Sequence, residues 1–513
     1  MDDPNGPPEA LAVGDIVVCQ ADQSQPAVTA VPLEAGACAS FLMSPMIRAL
    51  SLLLALSALL VAAGCDGNEA AADSLDDQLD TVLAQAGGAE TFALPDETDL
   101  AAIPQDPLNP LTADKVTLGR LLFHDTALAA NAVQAKGMGS YSCASCHHAA
   151  AGFQAGIPQG IGDGGSGFGR FGERRQRDTD YEPSELDTQP VRSPSVLNGA
   201  FQDVMLWNGQ FGGTGTNAGT QARWAPGTPL ATNVLGFEGL ETQAIAGLTV
   251  HRMADGPQAV YEAYPAYRVL FDAAFPERPA DARATTETAG LAIAAYERTL
   301  LATGAPFQRW LRGDRAAMSS AQKRGAVVFF ERASCVTCHS GPSLASTSFH
   351  ALGMGELLGP GVFSDFNPTD PIHLGRAGFT GQDADRFRFK TPQLYNLADH
   401  GFFGHGATFN SIREVVAYKN EAVAQSSLVP ADRLSPSFVP LQLSADEVDD
   451  LVVFLESALY DPELARYAPA SVPSGHCFPN NDAQTRADLG CEADQRALPL
   501  SLVGRGRQLG IAR

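Results

Sequence analysis

Two pentapeptides carry the most specific chemistry in this chain: Cys143-Ala144-Ser145-Cys146-His147 and Cys335-Val336-Thr337-Cys338-His339. In each, two thiols stand about one helical turn apart and a histidine follows the second. That spacing lets both thiols add to the two vinyl groups of one haem, with the adjacent imidazole facing the iron as proximal ligand. A C-x-x-C pair can also be half of a zinc site or a redox dithiol. The first needs a second Cys/His pair at zinc spacing, the second a thioredoxin-like βαβ unit, and neither is evident. The two motifs therefore predict two covalently bound haem c groups, held by Cys143, Cys146 and His147 and by Cys335, Cys338 and His339.

The elements that must position these motifs read as helices. Gly119-Arg120-Leu121-Leu122-Phe123 precedes the first motif and Gly325-Ala326-Val327-Val328-Phe329 the second, a weak internal repeat with an apolar helical face in each copy. Helical periodicity recurs over Thr285–Leu301 and Ser444–Leu459. The 50 glycines and 34 prolines suit long ordered loops between helices. A chain of 513 residues exceeds one compact core, so more than one domain is expected. The predicted fold is mainly α, with two cytochrome c-like domains that each bind one covalent haem c.

From about Pro104 to Tyr467 the chain resembles the bacterial di-haem cytochrome c peroxidases and their relative MauG. The resemblance lies in an ordered series of segments around the two haem motifs. They are Leu118-Gly119-Arg120-Leu121-Leu122-Phe123-His124-Asp125, Arg192-Ser193-Pro194-Ser195-Val196-Leu197-Asn198, Leu206-Trp207-Asn208-Gly209-Gln210 and Leu240-Glu241-Thr242-Gln243-Ala244. Further on come Ala295-Tyr296-Glu297-Arg298-Thr299-Leu300 and Phe389-Lys390-Thr391-Pro392-Gln393-Leu394-Tyr395-Asn396. The resemblance implies a peroxidatic N-terminal domain over 104–303 and an electron-transfer domain over 304–470. It implies that hydrogen peroxide reacts at the first haem, that electrons enter at the second, and that Trp207 relays charge between them; the plainer reading of Trp207 is core packing.

Departures from the family pattern bear on subtype. No histidine lies between His148 and His251, where many relatives carry a histidine that caps the first haem, and Met205 is the only other soft ligand there. An open sixth position at the first haem is therefore expected. At the second haem the ligand helix reads Ile412-Arg413-Glu414-Val415-Val416-Ala417-Tyr418-Lys419-Asn420, and no methionine follows Met354. Tyr418 is favoured as sixth ligand, because Lys419 would first have to lose a proton against a high reference pKa; Lys419 and Met354 are the alternatives. The glutamate that relatives place after L-E-x-Q-A is missing. His251 could move a proton in its stead, with Arg252 stabilising developing charge, or His251 is a satisfied structural histidine. Ser193 and the backbone near Asp399 and Gly401 match the region where relatives hold calcium, although Ser193 replaces the usual Asn. His405 falls near the family's H-D-G stretch.

The ends of the chain carry other signals. The apolar run Ile47–Ala63 follows Arg48 and ends at Gly64-Cys65, as in a lipoprotein-type secretory signal over 43–65 with Cys65 as the lipidated residue. Residues 1–42 read as an extension upstream of the true start, and 66–103, acidic and alanine-rich, as a linker. Cys477 and Cys491 in the tail 471–513 most simply form a disulfide. The expected location is the periplasm or cell envelope, with the membrane met only through the lipid. The net charge of −24 argues against nucleic acid and favours a basic partner. Three functions remain open. One is peroxide reduction with electrons from a small cytochrome c or cupredoxin. The others are MauG-like oxidation of a partner protein and non-catalytic electron carriage.

Overall fold

Each haem motif is delivered by a helix whose repeated glycine lets it lie directly on a second helix. The computed structural model describes residues 74–491, and all of them belong to one unit. The signal run, Cys65 and residues 1–42 lie outside the described residues. Helices are α1 (74–85), α2 (Ala113–His124), α3 (Gly239–Val250), α4 (Gly256–Ala263), α5 (Pro265–Ala274) and α6 (Thr286–Arg298). They continue with α7 (Pro306–Leu311), α8 (Ser320–Val327), α9 (Arg376–Thr380), α10 (Ile412–Glu421), α11 (Ala445–Val453) and α12 (Ala483–Leu489). Strand structure among the described residues is confined to two short antiparallel pairs, β1 (Gly165–Ser166) with β2 (Gln176–Arg177) and β3 (Ser346–His350) with β4 (Phe389–Thr391). The chain is thus mainly helical with long loops, and among the described residues no helix is long and apolar enough to cross a membrane.

In the first half, α2 starts at the N-cap Thr112 and packs across α6, which starts in a Thr285/Thr288 capping box. A Cβ on Gly119 would stand 1.8 Å from the Ala292 carbonyl oxygen, so only glycine permits this crossing. The second half repeats the device. There α8 starts in a Ser319/Gln322 box and crosses α11, which starts in a Ser444/Glu447 box. A Cβ on Gly325 would stand 1.9 Å from the Asp450 carbonyl oxygen. Both helices of this second pair run on into a π-helical turn, Val328–Arg332 and Phe454–Ala458. These turns bring Phe329 and Phe454 together at a ring separation of 5.5 Å beneath the second motif. One continuous hydrophobic core runs through both halves.

Residues 74–103, read from composition as part of a linker, are folded from 74 onward. Leu79, Leu83 and Phe92 are fully buried, and Phe92 meets Phe330 edge-on at 4.9 Å. Gln308 bonds both Leu94 N and Phe92 O, and Asp76 pairs with Lys323 while accepting from Trp310 Nε1. The acidic composition hid a short amphipathic face, since four apolar residues suffice to seat a twelve-residue helix.

The tail also returns to the body. A disulfide joins Cys477 to Cys491. Ser474 Oγ donates to Asp125, Ser142 Oγ to Pro479 O at 2.8 Å, and Asn481 N to Ser140 O at 2.9 Å. Ser145 Oγ donates to Asn480 Oδ1, so the tail braces the first haem motif from the far end of the sequence.

Candidate haem sites and the cavity between them

Both motifs fold as the same tight turn. Cys143–Ser145 and Cys335–Thr337 are single 3-10 turns, and in each the histidine N–H returns to the first cysteine's carbonyl, at 3.1 Å for His147 and 2.8 Å for His339. The four cysteines form no disulfide, and burial pushes the thiols of Cys143, Cys146 and Cys335 up to about 12. Burial therefore holds these thiols protonated.

The histidines are oriented by backbone carbonyls. His147 Nδ1 lies 3.3 Å from Phe153 O, and the backbone of Pro194 also bonds it. His339 Nδ1 lies 3.0 Å from Leu344 O and 3.1 Å from Pro392 O. A carbonyl can only accept, so Nδ1 carries the proton and Nε2 keeps its lone pair. Burial pushes both imidazoles down to about 4, which keeps them neutral. Both side chains line one cavity of about 340 Å³. Cys335 and Cys338 line this cavity with His339, whereas Cys143 and Cys146 stand beside His147 in the first turn without lining it. Two free thiols and a neutral imidazole with a bare Nε2 are the donor set that haem c requires, and each motif supplies that set.

Trp207 also lines this cavity, between the two motifs. Its Nε1 donates to Arg192 O and its carbonyl accepts from Lys390 N, both at 2.7 Å, so it is held by the backbone of both halves. Its ring meets His405 edge-on at 6.3 Å, and His405 stacks on Phe389 at 3.8 Å. Behind His405, Glu356 accepts from His373 Nδ1 at 2.6 Å and faces His405 Nε2 at 3.6 Å.

The other expected residues divide. His251 caps α3 and bonds Asp187 at 2.9 Å; burial opposes its charged form, but the carboxylate outweighs burial and raises its pKa. His251 shares a face of α3 with Gly247 and Gln243. Gln243 is a cavity-lining residue that the L-E-x-Q-A match contained but did not single out. Arg252 does not turn to the cavity. Its guanidinium bonds Asp163 at 2.6 Å and Glu185 O at 2.7 Å, which anchors the loop before Arg192 and removes it from the charge-stabilising role expected of it.

At the second motif the geometry reverses the expected order of Tyr418 and Lys419. The Tyr418 hydroxyl donates to Leu352 O and its ring packs on Phe409 and Phe438, away from the cavity. Lys419 lines the cavity, and burial pushes its amine down to about 8. The objection that lysine holds its proton too firmly is thereby weakened. Met354 lines the cavity as well. At the position matched to calcium, Asp399 accepts from Asn396 at 2.8 Å; among the described residues no three His, Cys, Asp or Glu side chains gather as a metal site.

Comparison with known proteins agrees with this geometry. The profile of the di-haem cytochrome c peroxidase family matches residues 113–316. The methylamine utilization protein MauG of Methylorubrum extorquens is 30% identical over 390 residues, covering 74% of this chain and 90% of that protein. Cytochrome-c peroxidase IdrP1 of Denitromonas iodatirespirans is 30% identical over 397 residues, covering 74% and 89%. Cytochrome c peroxidase Ccp of Escherichia coli is 27% identical over 361 residues, covering 69% and 60%. Similarity along nine-tenths of a relative's length, with both haem motifs folded alike, makes this chain a member of the di-haem cytochrome c peroxidase family, an oxidoreductase family whose cofactor is haem c.

Proposed function

We propose that the protein reduces hydrogen peroxide at the His147 site with electrons that enter at the His339 site. The observation that carries this reading is the single cavity bounded by His147 at one motif and His339 at the other, with Trp207 held between them by both halves. When bound, haem supplies an iron centre that exchanges electrons one at a time and accepts an oxygen ligand. The chain supplies the rest. His147 and His339 would hold the haem irons through Nε2, each ring oriented by the backbone carbonyls that its Nδ1 bonds. Gln243 offers a polar group on the cavity wall. His251, held by Asp187 with its pKa raised, is the group assigned to deliver a proton to a departing oxygen. The balance is one peroxide, two protons and two electrons to two waters.

A second reading, peroxide-driven oxidation of a partner protein, is favoured by the relatives named MauG at the same level of identity as those named peroxidase. Lys419 is the preferred sixth ligand at the second haem in either reading, with Met354 the alternative.

The test is turnover with a reduced small cytochrome c as sole donor. Peroxide-dependent oxidation at two donors per peroxide supports the first reading. Bleaching of the fully ferric protein by peroxide with no donor oxidation favours the second. Absence of any reaction with peroxide sinks both.

A further inference from the structure

Among the described residues, two buried cations that line the cavity, Arg192 and Lys390, form no ion pair. Arg192 is 5% exposed; its Nη2 donates to Gln154 Oε1 and to His400 Nδ1, and its Nε has no partner. Lys390 is 9% exposed, and its Nζ donates to Gln202 Oε1. Among the described residues neither forms an ion pair. Asp203 is the only acid that influences Lys390, and its oxygens are taken by Thr216 N and Oγ1. Burial pushes Arg192 down to about 9 and Lys390 down to about 8. Isolated buried cations are strongly disfavoured unless an anion completes them, and both line the cavity between the haem motifs.

The two residues are also equivalents. Arg192-Ser193-Pro194 with Asn198, and Lys390-Thr391-Pro392 with Asn396, have the same spacing. In both copies the proline backbone bonds the motif histidine. In both copies the asparagine adopts a left-handed conformation, φ 56° and 54°. Its N–H donates to a carbonyl, Leu300 O or Leu459 O, and its Oδ1 accepts from a backbone N–H, Ala302 N or Asp461 N. Each half therefore places one buried cation two residues before the proline that orients its histidine.

We propose that Arg192 and Lys390 are the counter-ions of the haem propionates, one cation for each haem. Haem c carries two carboxylates in addition to the two vinyl positions consumed by the cysteines, so each cofactor brings the anion that each cation lacks. The inference rests on the haem reading above. It also assigns a second duty to the residues whose backbone holds Trp207.

The test uses the holoprotein, wild type and the variants R192Q, R192K, K390Q and K390R. Haem content is measured by pyridine haemochrome, and both midpoint potentials by spectroelectrochemistry from pH 5 to 8. Removing a cation beside a propionate favours the ferric state. R192Q should therefore lower one midpoint and K390Q the other, each by about tenfold in the reduction equilibrium, or ~59 mV for one electron. A propionate stripped of its counter-ion should also titrate in this range, giving a pH-dependent midpoint where wild type is flat. R192K and K390R should restore the flat profile. Unchanged midpoints with both haems bound would overturn the proposal, as would one variant shifting both haems equally. A midpoint that follows added acetate in wild type but not in the variants would assign the cations to a free anion instead. Charge-keeping variants that lose haem as completely as the Gln variants would reduce both residues to packing. Wild type with fewer than two haems would defeat the haem reading itself, a separate failure.

Discussion

Glu297 shows how far burial can move one group here. It is 4% exposed on α6, its Oε2 has no hydrogen-bond partner, and its pKa is pushed up to about 8, by burial first and by the neighbouring Glu241 second. An acid raised in the folded state contributes stability that is complete below its unfolded value near 4.5 and is lost as pH climbs through about 8. Glu297→Gln, which never ionises, should leave stability unchanged at pH 4.5 and raise it at pH 8 by at least about 1–2 kcal/mol; thermal melts across that range would show a widening gap, and a constant gap would contradict the assignment. At Trp207 the expectation is kinetic. Trp207→Phe keeps an aromatic ring, though a smaller one, but loses the bond to Arg192 O, and should slow donor-dependent peroxide turnover at least about tenfold while both haems remain. The two matching C-x-x-C-H turns were legible from sequence because the motif repeats with the same spacing. Lys419 over Tyr418 was not legible, because adjacent helical positions differ by about 100° in direction and only packing decides which one meets the cavity. The equivalence of Arg192 and Lys390 was present as a spacing of two to a proline and six to an asparagine, a pattern too short to notice before the histidine contacts are seen.

The repeated helix pair sets a second expectation. Gly119→Ala would drive a methyl into the Ala292 carbonyl and Gly325→Ala into that of Asp450. Each should cost at least about 1–3 kcal/mol through forced separation of the helices. Pyridine haemochrome and melting curves would read the result, and a neutral effect would mean that the crossing can slide. The repeated glycines and the helical periodicity over Thr285–Leu301 and Ser444–Leu459 were readable along the chain. The segment 74–94 was not, since Asp76 and Phe92 gain their meaning only from Lys323, Phe330 and Gln308, more than two hundred positions away.

At the scale of the molecule, the net charge of −24 predicts that encounter with a basic donor is steered. Raising ionic strength from about 0.01 to 0.15 M should lower kcat/KM for such a donor at least about tenfold and leave an acidic donor unaffected or faster. A salt-independent rate would place the docking site away from the charged surface. The tail makes a different demand. Replacing Cys477 and Cys491 by serine removes a closure across a separation of 14 residues and should cost about 3 kcal/mol, read as a lowered melting temperature under oxidising conditions. Because Pro479, Asn480 and Asn481 bond Ser142, Ser145 and Ser140, the turn that carries Cys143 rests on residues made more than three hundred positions later. The two cofactor sites are therefore not equal in time. A stop codon near position 470 would spare the local scaffold of His339 and leave the first motif unbraced, so the site made earlier in synthesis is the one that must wait for the more distant part of the chain.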